Sequence, residues 1–564
     1  MNRKWELPYK YDDKKVKEIS EKYNISELLS TIIINRNINI NDENVRIFLN
    51  PTRNDFHNPF DMPDMEKATN RIMQAIQNKE KVIIYGDYDV DGITSTMVLK
   101  SFLDENGLEV GYRIPNRLSE GYGLNMNAIK EIADEGYNLI ITVDCGISGI
   151  EETEYAKKLG MEVLITDHHE PLEELPNTTV VMDCKREDSK YPFKNLAGCG
   201  VVFKLIQALS KLMNLDDKAY LKYLDIVCIG TISDIVPLVD ENRVIAKLGL
   251  KLANQTKNYG LACLFNSCGL KRIDSNSVSF GIAPRINACG RLGFENDALN
   301  LFLSKNIEEA RKVTLKLNEF NSKRQEIEKR IYEEALKQIE EQELYKNSVI
   351  IVGSENWHHG VIGIVSSKIT DMYYKPSILL CYDKENAKGS GRSIQGFDLH
   401  AALCETSDLL EKYGGHEMAV GLSLKRENVE KFREKINEIA KNKHIENCVS
   451  IIKIEKEIKL SNINIDMIES LDLLEPFGEE NRVPLFLFKN LKIDSIRTLS
   501  NEKHLKLTLK EDKIIVNAIG FNLGYLIREF LLGDKVDIVG CLEINEFNGN
   551  KNIQINIKDI RKSI

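Results

Sequence analysis

Residues 82–92 read Val-Ile-Ile-Tyr-Gly-Asp-Tyr-Asp-Val-Asp-Gly, a short apolar run followed by three acids at alternate positions. A short apolar run of this kind predicts a buried strand, and the acids begin where that strand ends. Carboxylates crowded at the edge of a buried sheet are costly unless a cation neutralises them. The stretch therefore predicts an α/β domain whose parallel sheet carries a metal site at the carboxyl ends of its strands.

Two other structures would also use acids in this pattern. An EF-hand calcium loop also begins with alternating acids and a glycine, but its twelfth position requires a glutamate, and that position is Val98 here. One acid could instead cap the helix that is predicted to start near Gly92. Capping can account for one of the acids, not for all three.

Further candidate ligands follow other apolar runs. Asp144 follows residues 138–143, the sequence Asp167-His168-His169 follows residues 163–166, and Asp234 lies within the apolar stretch 232–238. Each acid alone is more often a turn or cap residue, and an isolated histidine pair is most often a surface feature. Because a parallel sheet brings the carboxyl ends of its strands to one edge, their recurrence favours a shared site.

The predicted ligand set is made of carboxylate oxygens and one imidazole. Its members are Asp89, Asp91, Asp144, His168 and Asp234. Such hard donors suit Mn²⁺ or Mg²⁺ better than zinc or copper. Two ions bridged by one carboxylate could activate a water and neutralise charge on a phosphoryl group, so the set predicts phosphodiester hydrolysis.

Length and composition indicate the number of domains and the class of protein. Its 564 residues predict three or four domains, and the net charge of −10 limits any nucleic-acid contact to a local basic strip. Eleven cysteines without a Cys-x-x-Cys pair indicate reduced thiols. With no signal-type start and no apolar run of about 18 residues, we expect a soluble, cytoplasmic protein with no membrane contact.

Five segments are predicted along the chain. Residues 1–60 are expected to be an appendage packed on the next domain, and strands alternate with helices in the α/β domain 61–303. Residues 304–346 form a linking helix and 347–445 a second, smaller α/β domain. Residues 446–564 are β-rich, with a hairpin signal at Asn548-Gly549, and predict an OB-like barrel, with a β-sandwich as the alternative.

The linking helix has a distinctive pattern. Asn306 with Glu309 predicts a capping box at its start. A thin apolar stripe, consisting of Val313, Leu317, Phe320, Ile327 and Ile331, runs along an otherwise charged helix, which favours a connector between two domains. A coiled-coil seam is the weaker alternative, because Arg324 stands where an apolar residue is wanted.

The second α/β domain carries three glycine-rich stretches, at 357–363, 389–393 and 414–416. Each presents His, Ser or Arg beside its glycines. A lone glycine pair is usually only a turn, but three such loops suit close approach of the backbone to a phosphate.

These motifs together resemble the DHH phosphoesterase superfamily, and most closely its RecJ family of single-strand-specific 5′→3′ DNA exonucleases. The resemblance rests on the blocks 87–92, 143–146, 167–169 and 233–238, and on further blocks at 115–124, 197–201, 284–291 and the three glycine-rich stretches. One departure is that the loop Pro476-Phe477-Gly478, which leads into the barrel, continues as Glu479-Glu480-Asn481-Arg482-Val483-Pro484, without the second glycine and first proline usual in the family.

The resemblance implies a role for individual residues at the metal site. Asp89 and Asp91 would bind one ion each and Asp144 would bridge both, with His168 and Asp234 completing the second site. His169 would face the scissile phosphate as a charge-stabilising donor or proton source. Asp87 and Asp167 would hold the ligands in place.

It also implies contacts with DNA. Arg285 and Arg291 would bind phosphates near the cut, and Ser390, Arg392 and His416 would line the pocket for the 5′ end. In the barrel, Phe547 is a candidate for base stacking.

The function implied is a metal-dependent exonuclease for single-stranded DNA in repair and recombination, with two Mn²⁺ or Mg²⁺ ions. It would be a monomer that works with a helicase and a single-strand-binding protein. The alternatives are a DHH-family phosphodiesterase of cyclic dinucleotides or short oligonucleotides, which the β-rich residues 446–564 disfavour, and a non-catalytic replication scaffold, which the intact acids and histidines disfavour.

Overall fold

The computed structural model describes residues 3–8, 13–36, 42–547 and 549–563. The chain divides into two compact units. The first consists of residues 53–236 and 241–450, and the second of the described parts of 3–52, together with 237–240 and 451–563. No helix among the described residues is both long enough and apolar enough to cross a membrane.

The N-terminal segment belongs to the second unit. Its elements are β1 (Lys4–Glu6), α1 (Asp13–Tyr23), α2 (Glu27–Asn35) and α3 (Asp42–Leu49). Leu29 and Ile32 of α2 and Phe48 of α3 share one hydrophobic core with the C-terminal β domain, including its Phe486 and Leu507. The expectation that residues 1–60 pack on the following domain is wrong for α2 and α3, whose apolar side chains are buried in the core of the β domain.

The first unit begins with a parallel sheet. Its elements are α4 (Met65–Asn78), β2 (Val82–Gly86), α5 (Val90–Glu105), β3 (Gly111–Arg113), α6 (Met126–Asp134), β4 (Leu139–Val143), α7 (Ile150–Lys158), β5 (Glu162–Thr166), β6 (Val180–Met182) and α8 (Gly198–Leu212). The five strands lie in the order β3-β2-β4-β5-β6 and all pair in parallel. Every residue of β2 and β4 is buried, as expected for a sheet covered on both faces. The predicted α/β class is confirmed.

A helical region follows. It contains α9 (Lys218–Leu221), α10 (Leu224–Ser233), α11 (Asp240–Ala253), α12 (Tyr259–Ser267), α13 (Ser275–Ser277), α14 (Ala283–Leu292) and α15 (Glu295–Phe302). A π-helical turn, Val278–Ile282, separates α13 from α14. Helix α10 is apolar and buried along most of its length, and Asp234 is its C-terminal cap residue.

The long helix α16 spans Ile307–Glu341. The Asn306 side chain accepts hydrogen bonds from the backbone N–H groups of Glu308 and Glu309, so the predicted cap is confirmed. The reciprocal half of the capping box is wrong, because the Glu309 carboxylate accepts from the Lys305 backbone and the Asn306 side chain instead.

The buried face of α16 is not the predicted stripe. Buried positions recur every three or four residues and are Ala310, Thr314, Leu317, Asn321, Arg324, Glu328, Ile331, Ala335 and Ile339. Of the predicted stripe, Val313, Phe320 and Ile327 are only half-buried. Polar side chains occupy the middle of the seam because Arg324 donates to Glu328 and Asn321 within it, so these three satisfy one another.

The second α/β part contains β7 (Ile350–Ser354), α17 (His359–Tyr373), β8 (Ser377–Tyr382), β9 (Asn386–Arg392), α18 (Leu399–Cys404), β10 (Lys412–His416), β11 (Ala419–Lys425) and α19 (Val429–Asn442). Its strands lie in the order β10-β11-β9-β8-β7. Strands β7 and β8 are parallel and the other neighbours are antiparallel. Helix α16 joins both parts of this unit: Asn318 accepts a hydrogen bond from Arg285 of α14, and Ile331 packs in one core with Val361 of α17.

The C-terminal part is a closed barrel. Its elements are β12 (Ile451–Lys453), β13 (Lys456–Glu457), α20 (Ile465–Ser470), β14 (Phe486–Leu499), β15 (His504–Glu511), β16 (Ile514–Gly520), β17 (Lys535–Phe547) and β18 (Asn550–Lys562). The strand order β13-β14-β15-β16-β18-β17, closed by β14 pairing with β17, is the OB-like arrangement. The OB-like prediction is confirmed and the β-sandwich alternative is wrong.

Two loops of the barrel unit carried sequence predictions. Strands β17 and β18 form the antiparallel hairpin that Asn548-Gly549 predicts, although Asn548 itself and the Phe547 side chain lie outside the described residues. In the loop that departs from the family pattern, the Asn481 side chain is buried and donates to the carbonyls of Leu474 and Pro476. That side chain therefore ties the loop together without the missing glycine.

Candidate active site

The candidate metal ligands meet at the carboxyl edge of the parallel sheet. The Nε2 atom of His168, after β5, lies 3.0 Å from Oδ1 of Asp144, after β4. The same nitrogen is 3.7 Å from Oδ2 of Asp91 and 3.7 Å from Oδ2 of Asp234, which α10 delivers from outside the sheet. Two strands and two helices thus supply one cluster.

The ligand atoms fall into overlapping groups that could each hold an ion. One group is Asp87, Asp89 and Asp144, a second is Asp91, His168 and Asp234, and a third is Asp144, His168 and His169, with all ligand atoms of a group within 4.8 Å of one another. Asp144 belongs to the first and third groups. Its carboxylate therefore stands between the Asp89 side of the cluster and the His168 side.

Helix N-termini hold two of the acids. The Oδ1 atom of Asp89 accepts hydrogen bonds from the backbone N–H groups of Asp91 and Gly92, so Asp89 is the cap residue of α5. The capping interpretation is thus correct for this one acid. The two oxygens of Asp91 accept from Gly198 N at 2.6 Å and Cys199 N at 2.9 Å, at the start of α8. The positive end of a helix dipole favours a carboxylate at this position.

Asp144 has an unusual backbone conformation and lies close to the start of α8. Its backbone adopts the left-handed conformation, with φ of 60°, which aspartate tolerates better than most residues. A Cβ atom on Gly198 would lie 2.7 Å from the Asp144 carboxylate oxygen. Glycine at 198 is therefore required by the close approach of α8 to this carboxylate.

The electrostatics of the cluster call for a cation. Burial, and after it neighbouring carboxylates, raise the pKa of Asp87, Asp144 and Asp234 well above the ordinary value. Burial lowers the pKa of His168 to about 4, so its imidazole is neutral. Oδ1 of Asp87, Oδ1 of Asp144 and Nε2 of His168 are buried without a hydrogen-bond partner. Oxygen lone pairs and one neutral imidazole fit a divalent ion such as Mn²⁺ or Mg²⁺.

His169 has a different environment from His168. Its Nδ1 lies 2.8 Å from Oδ1 of Asp167. Burial alone would lower the pKa of His169, but the hydrogen bond and charge of Asp167 raise it to about 9. Asp167 accepts further hydrogen bonds from the backbone N–H groups of Ile147, His168 and His169. Asp167 thus lies behind the two histidines, and its charge and hydrogen bond favour the protonated form of His169.

Two residues near His169 were missed by the sequence analysis. The Tyr122 hydroxyl lies 3.0 Å from His169 Nδ1, and the residue as a whole is 46% exposed. Asp183 is buried, one of its oxygens has no hydrogen-bond partner, and burial raises its pKa to about 8. The signals were present: Tyr122 lies between two glycines, and Asp183 directly follows β6, a fourth strand with an acid at its end.

A group of arginines lies at the boundary between the two α/β parts. Arg291 of α14 is half-buried and donates to the Gly360 carbonyl at 3.1 Å. Burial and the charges of Arg117, Arg324 and Arg392 lower the pKa of Arg291 to about 9. Arg117, whose role the sequence analysis did not assign, lies over the Tyr88 ring with 4.9 Å from its guanidinium carbon to the ring centre. Mutually repelling guanidinium groups favour an anion such as phosphate at this boundary.

The predicted 5′-end residues are neighbours on the second sheet. Arg392 and His416 both stand opposite Ala419, and Arg392 donates to the Ser390 hydroxyl at 3.3 Å. A Cβ atom on Gly363 would lie 2.9 Å from the Ser390 hydroxyl and 3.3 Å from an Arg392 nitrogen. Strand β9 therefore presents these side chains to the first turns of α17. Burial and the charge of Arg392 lower the pKa of His416.

Arg285 does not join this arginine group. Its guanidinium donates to Asn318 Oδ1 at 2.7 Å and to the Gly281 carbonyl at 2.6 Å. Both acceptors belong to the protein, so this side chain ties α14 to α16. A direct contact of Arg285 with DNA stays a prediction.

Comparison with known proteins identifies three family models along the chain. The DHH family N-terminal domain matches residues 81–231, the DHHA1 domain 346–442 and the RecJ OB domain 454–559. The single-stranded-DNA-specific exonuclease RecJ of Bacillus subtilis is 40% identical over 562 residues, which are 99% of this chain and 70% of that protein.

The comparison with solved structures agrees. The crystal structure of RecJ in complex with Mn²⁺ from Thermus thermophilus matches with a TM-score of 0.86 at 27% identity, covering all of this chain and 80% of that one. The corresponding Mg²⁺ complex matches with a TM-score of 0.79 at 26% identity, covering 100% and 79%.

Proposed function

The chain belongs to the RecJ family of single-stranded-DNA-specific exonucleases, and from that premise we propose that it hydrolyses single-stranded DNA from the 5′ end. The observation that carries this proposal is the cluster around Asp144, in which buried carboxylates and a neutral His168 hold orphaned ligand atoms. The RecJ OB domain at 454–559 favours a polymer substrate over a cyclic dinucleotide.

Two divalent ions, Mn²⁺ or Mg²⁺, are the cofactors. When bound, such ions polarise a phosphoryl oxygen and lower the pKa of a water molecule. Asp89 with Asp144 would hold one ion, and Asp91, His168 and Asp234 the other, with Asp144 between them. The Asp87 oxygen lies close enough to those of Asp89 and Asp144 to be a ligand as well, rather than only a supporting residue.

The protonated His169 has a separate task. With its pKa raised to about 9 by Asp167, it carries a positive charge at neutral pH. Its Nδ1 proton is engaged by Asp167, which leaves the Nε2 proton for a phosphate oxygen or the leaving group. Asp167 would fix the orientation of the ring in this role.

Strand polarity would come from the arginine group and the second sheet. Arg291 and Arg117 would bind backbone phosphates, and Arg392, Ser390 and His416 would bind the 5′ end. In repair and recombination the enzyme would act as a monomer on strands that a helicase exposes and a single-strand-binding protein covers.

Digestion of end-labelled oligonucleotides tests this function. Single-stranded and blunt duplex DNA, and single-stranded RNA, are incubated with Mn²⁺, Mg²⁺ or a chelator, and Asp144→Asn is the matched control. We expect mononucleotides released from the 5′ end of single-stranded DNA, only with metal and only by the unmodified chain. Degradation from the 3′ end, or activity that persists in chelator, would contradict the proposal.

A further inference from the structure

Ile235 combines an exposed apolar side chain with an unfavourable backbone conformation. It is 71% exposed, and its φ is 62°, in the left-handed region. A β-branched residue is disfavoured there, because its Cβ substituents crowd the neighbouring carbonyl. A chain that needed only a turn at this point would be served better by glycine or asparagine. Isoleucine at 235 therefore indicates a use for the side chain itself.

The backbone of Ile235 lies next to the metal cluster. It directly follows Asp234, whose Oδ2 is 3.7 Å from Nε2 of His168. Consecutive Cα atoms are about 3.8 Å apart, so Ile235 stands at the rim of the cluster. Tyr122, which contacts His169, is another large exposed side chain near these ligands.

We propose that Ile235 packs against a nucleobase of the substrate strand beside the scissile phosphodiester, an inference that rests on the proposed function. The phosphates of a bound strand are drawn to cations, and the remaining surface next to each phosphate is the sugar and the face of the base. An aliphatic side chain has no donor or acceptor with which to read a base edge. Contact with the base face is tolerant of sequence, because every base has such a face.

Three variants separate this role from a structural one. Ile235→Gly removes the side chain and relieves the left-handed strain, whereas Ile235→Val keeps a β-branched apolar side chain. Lys79→Gly is the matched control: Lys79 is exposed, has φ of 52° at the end of α4, and lies outside the cluster. Both glycine variants should raise the melting temperature, because glycine adopts positive φ without strain.

The readout is KM on 5′-phosphorylated single strands with Mn²⁺, using intact strands and strands with one abasic residue at successive positions. Ile235→Gly should raise KM on intact strands roughly tenfold, the scale of one apolar contact, while Ile235→Val and Lys79→Gly keep the original KM. When the abasic residue is at the contacted position, the KM of the unmodified chain should rise by the same factor, and the KM of Ile235→Gly should rise no further.

The outcomes are distinguishable. If the unmodified chain degrades intact strands and Ile235→Gly has the same KM, only this inference is overturned. This inference alone is also overturned if the KM of Ile235→Gly rises by an equal factor at every abasic position. It is overturned as well if Ile235→Gly melts at a lower temperature and its KM rises equally on all strands. If the unmodified chain degrades no strand with Mn²⁺, the proposed function fails, and this inference with it.

Discussion

His168 Nε2 lies 3.0 Å from Asp144 Oδ1, and neither of these buried atoms has a hydrogen-bond partner. Burial lowers the pKa of the histidine to about 4 and raises that of the aspartate, so burial favours a neutral imidazole beside an uncharged carboxyl group. Ionisation of this carboxyl group is unfavourable without a positive charge nearby. A divalent cation held by both residues would favour the ionised carboxylate, so the metal-dependent predictions rest on this pair.

Replacing Asp144 by asparagine should abolish hydrolysis and leave the fold intact. Loss of a shared ligand should reduce the rate by more than the roughly 100-fold typical of supporting residues. In chelator the variant should melt at a higher temperature, because one of several mutually repelling carboxylates is gone. Rates are measured on labelled strands and melting by calorimetry. Metal-dependent cleavage near the original rate would refute the shared-ligand assignment.

Gly198→Ala should weaken the metal site through Asp144. The added methyl group would lie 2.7 Å from the Asp144 carboxylate, so that side chain must move. We expect roughly a tenfold loss of Mn²⁺ affinity, measured by calorimetric titration. Alanine is a better helix former than glycine, so the loss would not come from a weakened α8. Gly200→Ala on the same helix is the control, since its nearest neighbour is the flexible Leu196 side chain at 3.3 Å. Equal affinities in both variants would show that Asp144 accommodates the methyl group.

Arg392→Ala should discriminate between 5′ ends. A guanidinium beside Ser390 contributes most to a strand that carries a terminal phosphate, because that phosphate adds charge. KM should rise roughly tenfold more for 5′-phosphorylated than for 5′-hydroxyl strands. Arg285→Ala serves as the comparison, because that guanidinium is bonded to Asn318 and Gly281 and should affect both strands equally. The same equality in Arg392→Ala would place Arg392 away from the 5′ end.

Lys204→Met should destabilise the first unit. Lys204 Nζ lies 2.6 Å from Glu241 Oε1, and both side chains are fully buried. Removing one partner of a buried ion pair leaves the other charge uncompensated and costs about 3–5 kcal/mol of unfolding free energy. Lys222→Met breaks an exposed pair with Glu105 and should cost less than about 1 kcal/mol. Urea denaturation measures the free energy of unfolding of both variants. A similarly small decrease in both would mean that water reaches Glu241.

Blunt duplex DNA should resist degradation until a helicase or a frayed end provides a free 5′ strand. Arg291 donates to the Gly360 carbonyl and so links the two α/β parts. We expect the metal ligands of the first part and the 5′-end residues of the second to line a narrow groove that admits one strand and excludes a duplex. Binding of single strands should weaken with salt. Three phosphate contacts, from Arg117, Arg291 and Arg392, predict a slope of about −2 in log affinity against log salt. Rapid attack on blunt ends at moderate salt would exclude a single-strand passage.

Local pattern was enough to predict the parallel sheet and most of the metal cluster. Apolar runs such as 82–85 and 139–143 report buried strands directly, and acids after them must meet where parallel strands end. Order and spacing therefore predict that Asp144 and His168 meet at this edge, whereas Asp234 comes from the end of α10, outside the sheet. Asp183 also follows an apolar run that ends at Met182, but it was not among the predicted site residues.

Tertiary packing decided what the pattern could not express. The sequence shows that α2 is largely apolar, but it does not show that the partner of this helix is the core of the barrel. Arg324 looks like a surface residue in sequence and is buried in the fold. Its partners Glu328 and Asn321 lie on the same helix, so the burial comes from the other helices, such as α14, α15 and α17, that pack against α16. The Arg285 side chain is oriented by its hydrogen bond to Asn318, a residue distant in the chain. The left-handed backbone of Ile235, just after α10, is likewise not apparent from the sequence pattern. The sequence determined through local periodicity which strand ends carry acids at the sheet edge. Contacts between residues distant in the chain decided which helix faces are buried, because the partner of an apolar face is not encoded in its own periodicity.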